Sequence, residues 1–285
     1  MNKKIFYFSG TGNSMRAAQK IATYLGNTEI ISIKSDNDNF NAEDCDVIGF
    51  IFPVHHWTLP EPVVNFVKEL KMNNNAYIFC IAMPSFVCGC ACEKLEEILI
   101  SKHVRISYGA KVYNVANYCI VYPPVPPAKL VIPKVERKLD KISKDISERK
   151  IQKIPRANWF VRKKIKKTME KYKDVLNYAD MGFKISERCI SCGTCVKVCP
   201  MKNIEIIDKK PIFKNKCVQC MACVSFCPKK AIEYKLNEED LKAKNIDTSK
   251  VKIIKIMKLP KKRKCYHNPY ITAMDISKYN IFYKW

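Results

Sequence analysis

The sequence predicts an α/β chain in which a doubly wound parallel sheet is followed by a small α+β domain. Three observations carry this prediction. Short apolar segments alternate with helical patterns through the N-terminal half, and a turn rich in glycine and hydroxyl groups follows the first of them. Farther along, one cysteine spacing occurs twice between residues 189 and 227. Strands that alternate with helices are typical of parallel sheets, which bind ligands at the carboxyl ends of their strands.

The first predicted strand, residues 3–8, leads through the turn Ser-Gly-Thr-Gly-Asn-Ser into a helical pattern over residues 15–25. Glycines let the backbone approach an anion, and the hydroxyls and the N–H groups at a helix start donate hydrogen bonds to it. A Walker loop needs Gly-Lys-Ser/Thr, and a dinucleotide fingerprint needs a glycine where this chain has Met15. The turn therefore predicts a site for a terminal monophosphate, built from Ser9, Gly10, Thr11, Gly12, Asn13 and Ser14.

The alternation continues with predicted strands at residues 45–52, 77–82 and 112–116 and predicted helices at 62–70 and 93–102. The turns at residues 53–60 and 83–92 follow two of these strands, so both should line the same crevice as the phosphate turn. Pro53 and Trp57 lie in the first of them. A proline-bounded turn at a strand end favours Trp57 as a platform for a planar ring over a core aromatic. The adjacent His55 and His56 are expected either to serve the loop itself or to lie at the edge of that ligand, rather than to bind a metal.

Each copy of the cysteine spacing reads C-x2-C-x2-C-x3-C-P, the bacterial ferredoxin run that binds a [4Fe–4S] cluster. Three closely spaced thiolates wrap one face of the cube, and in two-cluster ferredoxins the fourth cysteine binds the other cluster. Two clusters are therefore expected. We assign one to Cys189, Cys192, Cys195 and Cys227, and the other to Cys217, Cys220, Cys223 and Cys199.

Two zinc sites are the alternative for these eight cysteines, although zinc ribbons rarely show this third thiol and Cys-Pro. Disulfides are disfavoured because the chain runs from Met1 directly into a strand, without a secretory signal. We expect a reducing cytoplasm, which suits so many free thiols. The run Cys88-Gly-Cys90-Ala-Cys92 leaves three interpretations open: a third metal site, a redox thiol pair beside the ligand, or incidental cysteines.

The formal charge of +24 comes mostly from lysines spread along the chain, densest over residues 129–173. This stretch is either a solvated helical face or a docking surface for an acidic redox protein. Nucleic acid is disfavoured because no recognised nucleic-acid motif accompanies the charge. No apolar run is long enough to cross a membrane. A helix is expected to start at residue 237. The C-terminal segment, which ends in Cys265-Tyr-His-Asn-Pro-Tyr and the aromatic residues 279–285, either docks a partner or wraps over the cysteine-rich domain.

The phosphate turn matches the flavodoxin pattern for FMN phosphate, S/T-x-T-G-x-S/T, at every specified position. With the C-terminal cysteine motifs, the chain resembles the flavodoxin–ferredoxin fusion proteins of anaerobic bacteria, the EFR-type ferrodoxins. The resemblance implies FMN, a flavodoxin-like sheet and a two-[4Fe–4S] ferredoxin-like domain. It also implies that Trp57 covers the flavin ring and that Cys88 and Gly89 belong to the third flavin loop.

The predicted organisation has a flavodoxin-like domain over 1–128, a basic helical linker over 129–180, a ferredoxin domain over 181–236 and a C-terminal extension over 237–285. FMN accepts two electrons or one, whereas each cluster passes one. We therefore expect an oxidoreductase-type electron carrier that converts between two-electron and one-electron partners. A flavin-dependent reductase of a small molecule is the main alternative, and a redox-sensing regulator that binds nucleic acid is a third.

Overall fold

The computed structural model describes residues 1–35, 40–247, 257–260, 263–278 and 280–283. Its main sheet has six strands in the order β12-β2-β1-β4-β6-β7. They are β1 (Lys3–Tyr7), β2 (Thr28–Ser32), β4 (Val47–Pro53), β6 (Tyr77–Met83), β7 (Tyr108–Lys111) and β12 (Asn280–Tyr283). The first five are parallel, and β12 pairs antiparallel with β2. The short strands β3 (Asn41–Ala42) and β5 (Lys71–Met72) pair with each other. The predicted doubly wound parallel sheet is confirmed.

Helices cover both faces of this sheet. The helices α1 (Asn13–Leu25) and α4 (Ala128–Ser147) lie on one face, and α2 (Glu61–Glu69) and α3 (Ala91–Ser101) lie on the other. Along β1, Ile5 and Tyr7 pack towards α1, whereas Phe6 and Phe8 pack towards α2 and α3. All four side chains are buried, as expected for a strand that is covered on both sides.

The helix α4 lies inside the stretch that the sequence predicts as a linker. Its inner face buries Leu139 and Ile142 in the same core as α1. Arg16 of α1 donates hydrogen bonds to both carboxylate oxygens of Glu136, at 3.2 and 2.8 Å. Residues 128–147 thus complete a helical layer of the sheet. A second basic helix, α5 (Trp159–Asn177), follows.

The predicted strand at residues 112–116 is wrong, because β7 lies four residues earlier. Its sequence, Tyr-Gly-Ala-Lys, has a poor strand former at its centre. Gly109 is required because a Cβ atom there would lie 2.5 Å from Cα of Ile154, which packs across the strand. Residues 112–116 instead carry the chain away from the carboxyl end of β7.

The cysteine-rich domain is a small α+β unit, as predicted. The strand β8 (Phe183–Ile185) pairs antiparallel with β11 (Ile232–Tyr234), and β9 (Ile204–Ile207) pairs with β10 (Lys210–Phe213). Two five-residue helices, α6 (Thr194–Val198) and α7 (Ala222–Phe226), begin inside the two cysteine motifs. A short 3-10 helix, Ala179–Gly182, precedes β8.

The C-terminal segment returns from the cysteine-rich domain to the main sheet. It contains α8 (Glu238–Lys242), which begins after Asn237 as predicted, then α9 (Ala273–Ser277) and β12. Arg263 donates to the carbonyl oxygen of Ile232 at 2.6 Å, and Lys34 Nζ donates to that of Ser277 at 2.8 Å. Of the expected aromatic tail, residues 279, 284 and 285 lie outside the described residues. Within the described ranges, no helix has the length and apolar character that a membrane span needs.

Candidate functional site

A cavity of about 300 Å³ lies at the carboxyl ends of the main-sheet strands. The phosphate turn forms one wall, and the turns after β4 and β6 form the next two. The fourth wall comes from residues 115–122, and the fifth comes from Gln219, Cys220 and Met221 of the second cysteine motif. The predicted ligand crevice and a predicted cluster ligand therefore share one cavity.

Five of the six predicted phosphate-turn residues line this cavity, namely Ser9, Gly10, Thr11, Asn13 and Ser14. Gly12 closes the turn instead. Its φ of 92° is in the left-handed region that favours glycine, and its N–H donates to Ser9 Oγ at 3.1 Å. The helix α1 starts at the next residue, so its free first-turn N–H groups lie at the turn. This is the geometry of an anion site at a helix N-terminus.

The phosphate turn is held from two sides. A Cβ atom at Gly10 would overlap the carbonyl oxygen of Cys220, so the turn lies directly against the second cysteine motif. On its other side, the Asn268 N–H donates to the Thr11 carbonyl at 2.8 Å. Asn13 Oδ1 accepts hydrogen bonds from the Tyr266 hydroxyl at 2.6 Å and from Asn268 Nδ2 at 3.1 Å. These contacts leave the Asn13 amide nitrogen as a donor towards the cavity.

Three buried polar atoms among the cavity-lining residues have no hydrogen-bond partner: Ser14 Oγ, Asn117 Oδ1 and Gln219 Nε2. Buried polar groups are nearly always hydrogen-bonded, so orphaned atoms indicate a missing ligand or ordered water. Ser14 Oγ belongs to the phosphate turn and suits a phosphate oxygen. One unused acceptor and one unused donor remain for the polar atoms of a flavin. The residues present therefore fit FMN.

Trp57 lies at the cavity mouth on a tight turn. His55 and Thr58 exchange backbone hydrogen bonds of 3.2 and 2.9 Å, and both residues between them have positive φ, 48° at His56 and 63° at Trp57. Two left-handed residues are the geometry of a type I′ turn, which is rare without glycine or asparagine. Trp57 is 41% exposed, which leaves its ring available to a ligand.

The two histidines of this turn also line the cavity, along with Pro53. Burial lowers the pKa of His55 to about 3 and that of His56 to about 4. Both rings are therefore neutral near pH 7, and each offers the cavity one hydrogen-bond donor and one acceptor.

Cys88 and Gly89 lie behind the Trp57 turn and do not line the cavity. Gly89 has a φ of 57°, and a Cβ atom there would overlap the carbonyl oxygen of Trp57. The residues of this loop that line the cavity are Ser85, Phe86 and Val87. The flavin contacts of Cys88 and Gly89 stay predictions.

Cys88 is buried, and its hydrogen bond with Cys92, followed by burial, raises the pKa of its thiol. Cys92 is buried as well, whereas Cys90 is partly exposed. A protonated, buried thiol is unreactive. In the described ranges, no group of three or more His, Cys, Asp or Glu side chains is arranged to hold a single metal ion, and the three interpretations of this cysteine run stay predictions.

Thiols from both cysteine motifs come together in two places. A small pocket is lined by Cys189, Cys192, Cys195 and Cys227. Burial, followed by the neighbouring thiols Cys217, Cys220 and Cys199, raises the pKa of Cys223. In each place the fourth cysteine comes from the opposite motif. Backbone N–H groups donate to three of these sulfurs, from Asn203 to Cys199 at 3.4 Å, from Gln219 to Cys217 at 3.3 Å and from Ala231 to Cys227 at 3.3 Å.

A tetrahedral zinc site needs four thiolates around one ion. A four-iron cube binds one thiolate at each iron, and the bacterial spacing supplies the fourth from the opposite motif. The grouping of Cys227 with Cys189, Cys192 and Cys195 in one pocket agrees with this ferredoxin arrangement.

The two cysteine groups differ in exposure. Cys192 is exposed, and the neighbouring Ile190 is 58% exposed. In the other group, Cys220 lines the cavity beside the phosphate turn. We call the group with Cys220 the inner site and the group with Cys192 the outer site.

Comparisons with known proteins agree with this division of the chain. A family model described as a flavodoxin domain matches residues 4–85, and one described as a 4Fe-4S dicluster domain matches residues 188–232. The chain thus has a flavodoxin-like fold followed by an iron–sulfur ferredoxin-like domain. This pair of domains supports a flavodoxin–ferredoxin fusion with an electron-transfer role that uses FMN and iron–sulfur clusters.

No curated protein matches the chain significantly. Among solved structures, a flavodoxin from Streptococcus pneumoniae TIGR4 is 15% identical, with a TM-score of 0.37, over 52% of this chain and 99% of that one. A flavodoxin variant from Fusobacterium nucleatum bound to flavin mononucleotide is 11% identical, with a TM-score of 0.37, over 53% of this chain and 97% of that one.

Sequence reasoning missed two sets of residues from distant segments. Gln219 and Met221 line the cavity but lie inside a motif whose cysteines already had a role. Tyr266 and Asn268 hold the phosphate turn from outside the cavity and lie in a segment without a recognisable pattern. The sequence offered one indication that Gln219 contacts a ligand: it is a polar residue between two predicted cluster ligands.

Proposed function

We propose that this protein relays electrons between one FMN and two [4Fe–4S] clusters, and so connects two-electron carriers to one-electron carriers. The observation that carries the proposal is the shared cavity, where the phosphate turn and Cys220 lie on adjoining walls. The direct packing of Gly10 against the Cys220 backbone fixes this spacing. FMN exchanges one or two electrons, and a cluster exchanges one.

The proposed FMN site uses the phosphate turn for the phosphate and Trp57 for one face of the ring. The proposed cluster ligands are Cys217, Cys220, Cys223 and Cys199 at the inner site, and Cys189, Cys192, Cys195 and Cys227 at the outer site. Because only the inner site adjoins the cavity, we infer the order flavin, inner cluster, outer cluster and external partner.

We also propose revised domain boundaries. The flavin domain runs from residue 1 to about residue 154 and regains β12, because α4 and Ile154 belong to its core. The ferredoxin domain keeps its predicted range of residues 181–236. The linker is then confined to the region of α5.

The proposed partner is an acidic redox protein. The helix α5 begins with Trp159 and Phe160, which are 63% and 75% exposed, and continues with several lysines. Exposed aromatic side chains beside positive charge are suited to a partner with acidic groups around an apolar centre. Electron transfer to such a partner should slow as salt increases, because salt screens exposed charges beyond about 8 Å at physiological ionic strength.

The proposal is tested by reconstitution without oxygen, followed by iron, sulfide and flavin assays. We expect about eight irons and one FMN per chain. Cys192→Ser and Cys220→Ser should each remove about half of the iron. Only Cys220→Ser should also slow the change in flavin absorbance when electrons enter through the remaining cluster.

Protein that binds zinc alone, or that binds no flavin, would contradict the relay. Equal flavin kinetics in the two cysteine variants would contradict the order of the centres. Fast turnover of the reduced protein with one small oxidant, without a protein partner, would favour the reductase alternative.

A further inference from the structure

Gln219 belongs to the second cysteine motif, yet its side chain lines the flavin cavity. It lies between Cys217 and Cys220 and is 5% exposed. Its φ of 52° is in the left-handed region, which non-glycine residues seldom adopt. Gln219 is therefore unusual in two ways: its backbone is left-handed, and its side chain leaves the inner-site loop to line the cavity.

The first cysteine motif provides an internal comparison. The equivalent residue there is Ser191, with a φ of 53°, and its hydroxyl donates to the carbonyl oxygen of Lys209 within its own domain. A short side chain is thus sufficient to build this turn. The longer side chain of Gln219 instead reaches Tyr118 of the flavodoxin-like domain, so the geometry of the turn does not explain its length.

The polar atoms of Gln219 differ in whether they have a hydrogen-bond partner. Its backbone N–H donates to Cys217 Sγ at 3.3 Å. Its side-chain Oε1 accepts a hydrogen bond from the Tyr118 hydroxyl, which orients the amide. Burial raises the pKa of Tyr118, so that hydroxyl stays a donor. The amide nitrogen Nε2 is buried and has no partner.

We propose that Gln219 donates hydrogen bonds to both the flavin and a thiolate of the inner cluster. Its Nε2 donates a hydrogen bond to an acceptor atom of bound FMN, while its backbone N–H donates to the Cys217 thiolate. This inference rests on the proposed function, since it requires FMN in the cavity. It assigns Gln219 as the residue that joins the two redox centres, with its side chain on the flavin and its backbone N–H on the cluster thiolate.

The unused polar atoms of Gln219 and Asn117 support a flavin rather than an apolar ligand. Gln219 Nε2 is an unused donor, and Asn117 Oδ1 on a neighbouring wall is an unused acceptor. Asn117 is itself fixed, because its Nδ2 donates to Ser225 Oγ at 3.1 Å and to the Tyr266 carbonyl at 3.0 Å. A flavin offers carbonyl oxygens, a ring N–H and ribityl hydroxyls, and so can satisfy both atoms at once.

The experiment compares FMN binding to wild-type protein, Gln219→Ser and Gln219→Glu, each loaded with iron–sulfur clusters. Gln219→Ser introduces the residue that the first motif tolerates at this turn and removes the reach into the cavity. We expect it to weaken FMN binding about 3- to 10-fold with unchanged iron content. Gln219→Glu replaces a donor by a negative charge, so we expect a larger loss and a flavin that is harder to reduce.

Two further variants make the test specific. Ser191→Ala alters the equivalent turn at the outer site and should leave the FMN dissociation constant unchanged. Tyr118→Phe leaves the cysteine loop intact but frees the Gln219 amide, so it should weaken FMN binding by a smaller factor and broaden the flavin absorption band. If Gln219→Ser fails to assemble the inner cluster, the FMN affinity of Tyr118→Phe still tests the inference.

Unchanged FMN affinity and flavin spectra in Gln219→Ser, Gln219→Glu and Tyr118→Phe would overturn the inference. The amide would then serve only the loop or an ordered water. Failure of the wild-type protein to bind FMN would instead contradict the proposed function, so the two failures are distinguishable.

Discussion

At the scale of single residues, the site depends on positions where a side chain has no room. Gly10 and Gly89 each face a backbone carbonyl at a distance that excludes a Cβ atom. The phosphate turn itself was predictable from sequence, because strand, glycine-rich turn and helix are contiguous. The partner of Gly10 was not predictable, since Cys220 is far away in the chain and meets it only in the folded protein.

Gly10→Ala should therefore disturb both cofactor sites together. The added methyl group would overlap the Cys220 carbonyl oxygen and force the phosphate turn and the inner-site loop apart. We expect a loss of stability of about 1–3 kcal/mol and lower FMN and iron contents after reconstitution. The control is Gly193→Asn, where a Cβ atom meets nothing within 4 Å and asparagine tolerates the left-handed backbone, with φ 70° and ψ 1°. Normal iron content with impaired FMN binding alone would argue against this coupling.

The histidine turn predicts a pH effect. Burial lowers the pKa of His56 to about 4, whereas an unfolded histidine titrates near 6.5. Between these values the unfolded chain binds more protons, so stability falls as pH decreases from about 7 towards 4. His56→Asn keeps a residue suited to a φ of 48° and removes this term.

We expect the wild type to lose about 1 kcal/mol more than His56→Asn between pH 7.5 and pH 5.5. The measurement is the urea midpoint for flavin release at the two pH values, with clusters intact. Equal shifts in both proteins would show that the folded protein does not lower the pKa of His56.

At the scale of elements, strongly apolar strands were predicted well and weak ones were not. The predicted strands over 45–52 and 77–82 agree with β4 and β6 within two residues, because each is a seven-residue strand without a charged residue. The strand β2 was missed because glutamate interrupts its short apolar run, and β7 was misplaced because its four residues include glycine, alanine and lysine. Their positions are decided by pairing with neighbouring strands, which a local pattern does not contain.

The helix α4 was taken for a linker because its basic face conceals its apolar stripe. If α4 belongs to the flavin-domain core, Leu139→Ala should cost about 2–5 kcal/mol, since Leu139 is fully buried. Leu130→Ala is the matched control in the same helix, where the side chain is 58% exposed, and should change stability by less than about 0.5 kcal/mol. Thermal melts followed by far-ultraviolet circular dichroism compare the two. Similar midpoints would indicate that α4 is a linker after all.

At the scale of the whole molecule, residues 263–278 contact both domains and join them to each other. Phe226 of α7 stacks on His267 at 4.8 Å, and Ile271 packs against Gly12 of the phosphate turn. The sequence alone left this segment as a docking tail or a wrap. The wrap agrees with the contacts of its described residues, and it extends beyond the ferredoxin-like domain onto the flavin site.

This arrangement predicts that FMN affinity depends on a residue far from the flavodoxin motifs. Tyr266→Phe removes the hydroxyl that donates to Asn13 Oδ1, so the Asn13 amide keeps only one of its two orienting hydrogen bonds, the one from Asn268. We expect FMN to bind about 3- to 10-fold more weakly, measured by quenching of flavin fluorescence. Tyr270→Phe, four residues later at a side chain that is 54% exposed, is the control and should have no effect. Identical dissociation constants for both variants would exclude a role of the wrap in binding.

The position of β12 bears on how the protein is made. The strand that covers the β2 edge comes from the far end of the described chain, after both cysteine motifs. Ribosomes deliver the chain from its N-terminus, and domains fold as they emerge. The β2 edge of the nascent sheet therefore stays open until both cysteine motifs have been synthesised, so the main sheet is completed only after the whole cysteine-rich segment is available to fold.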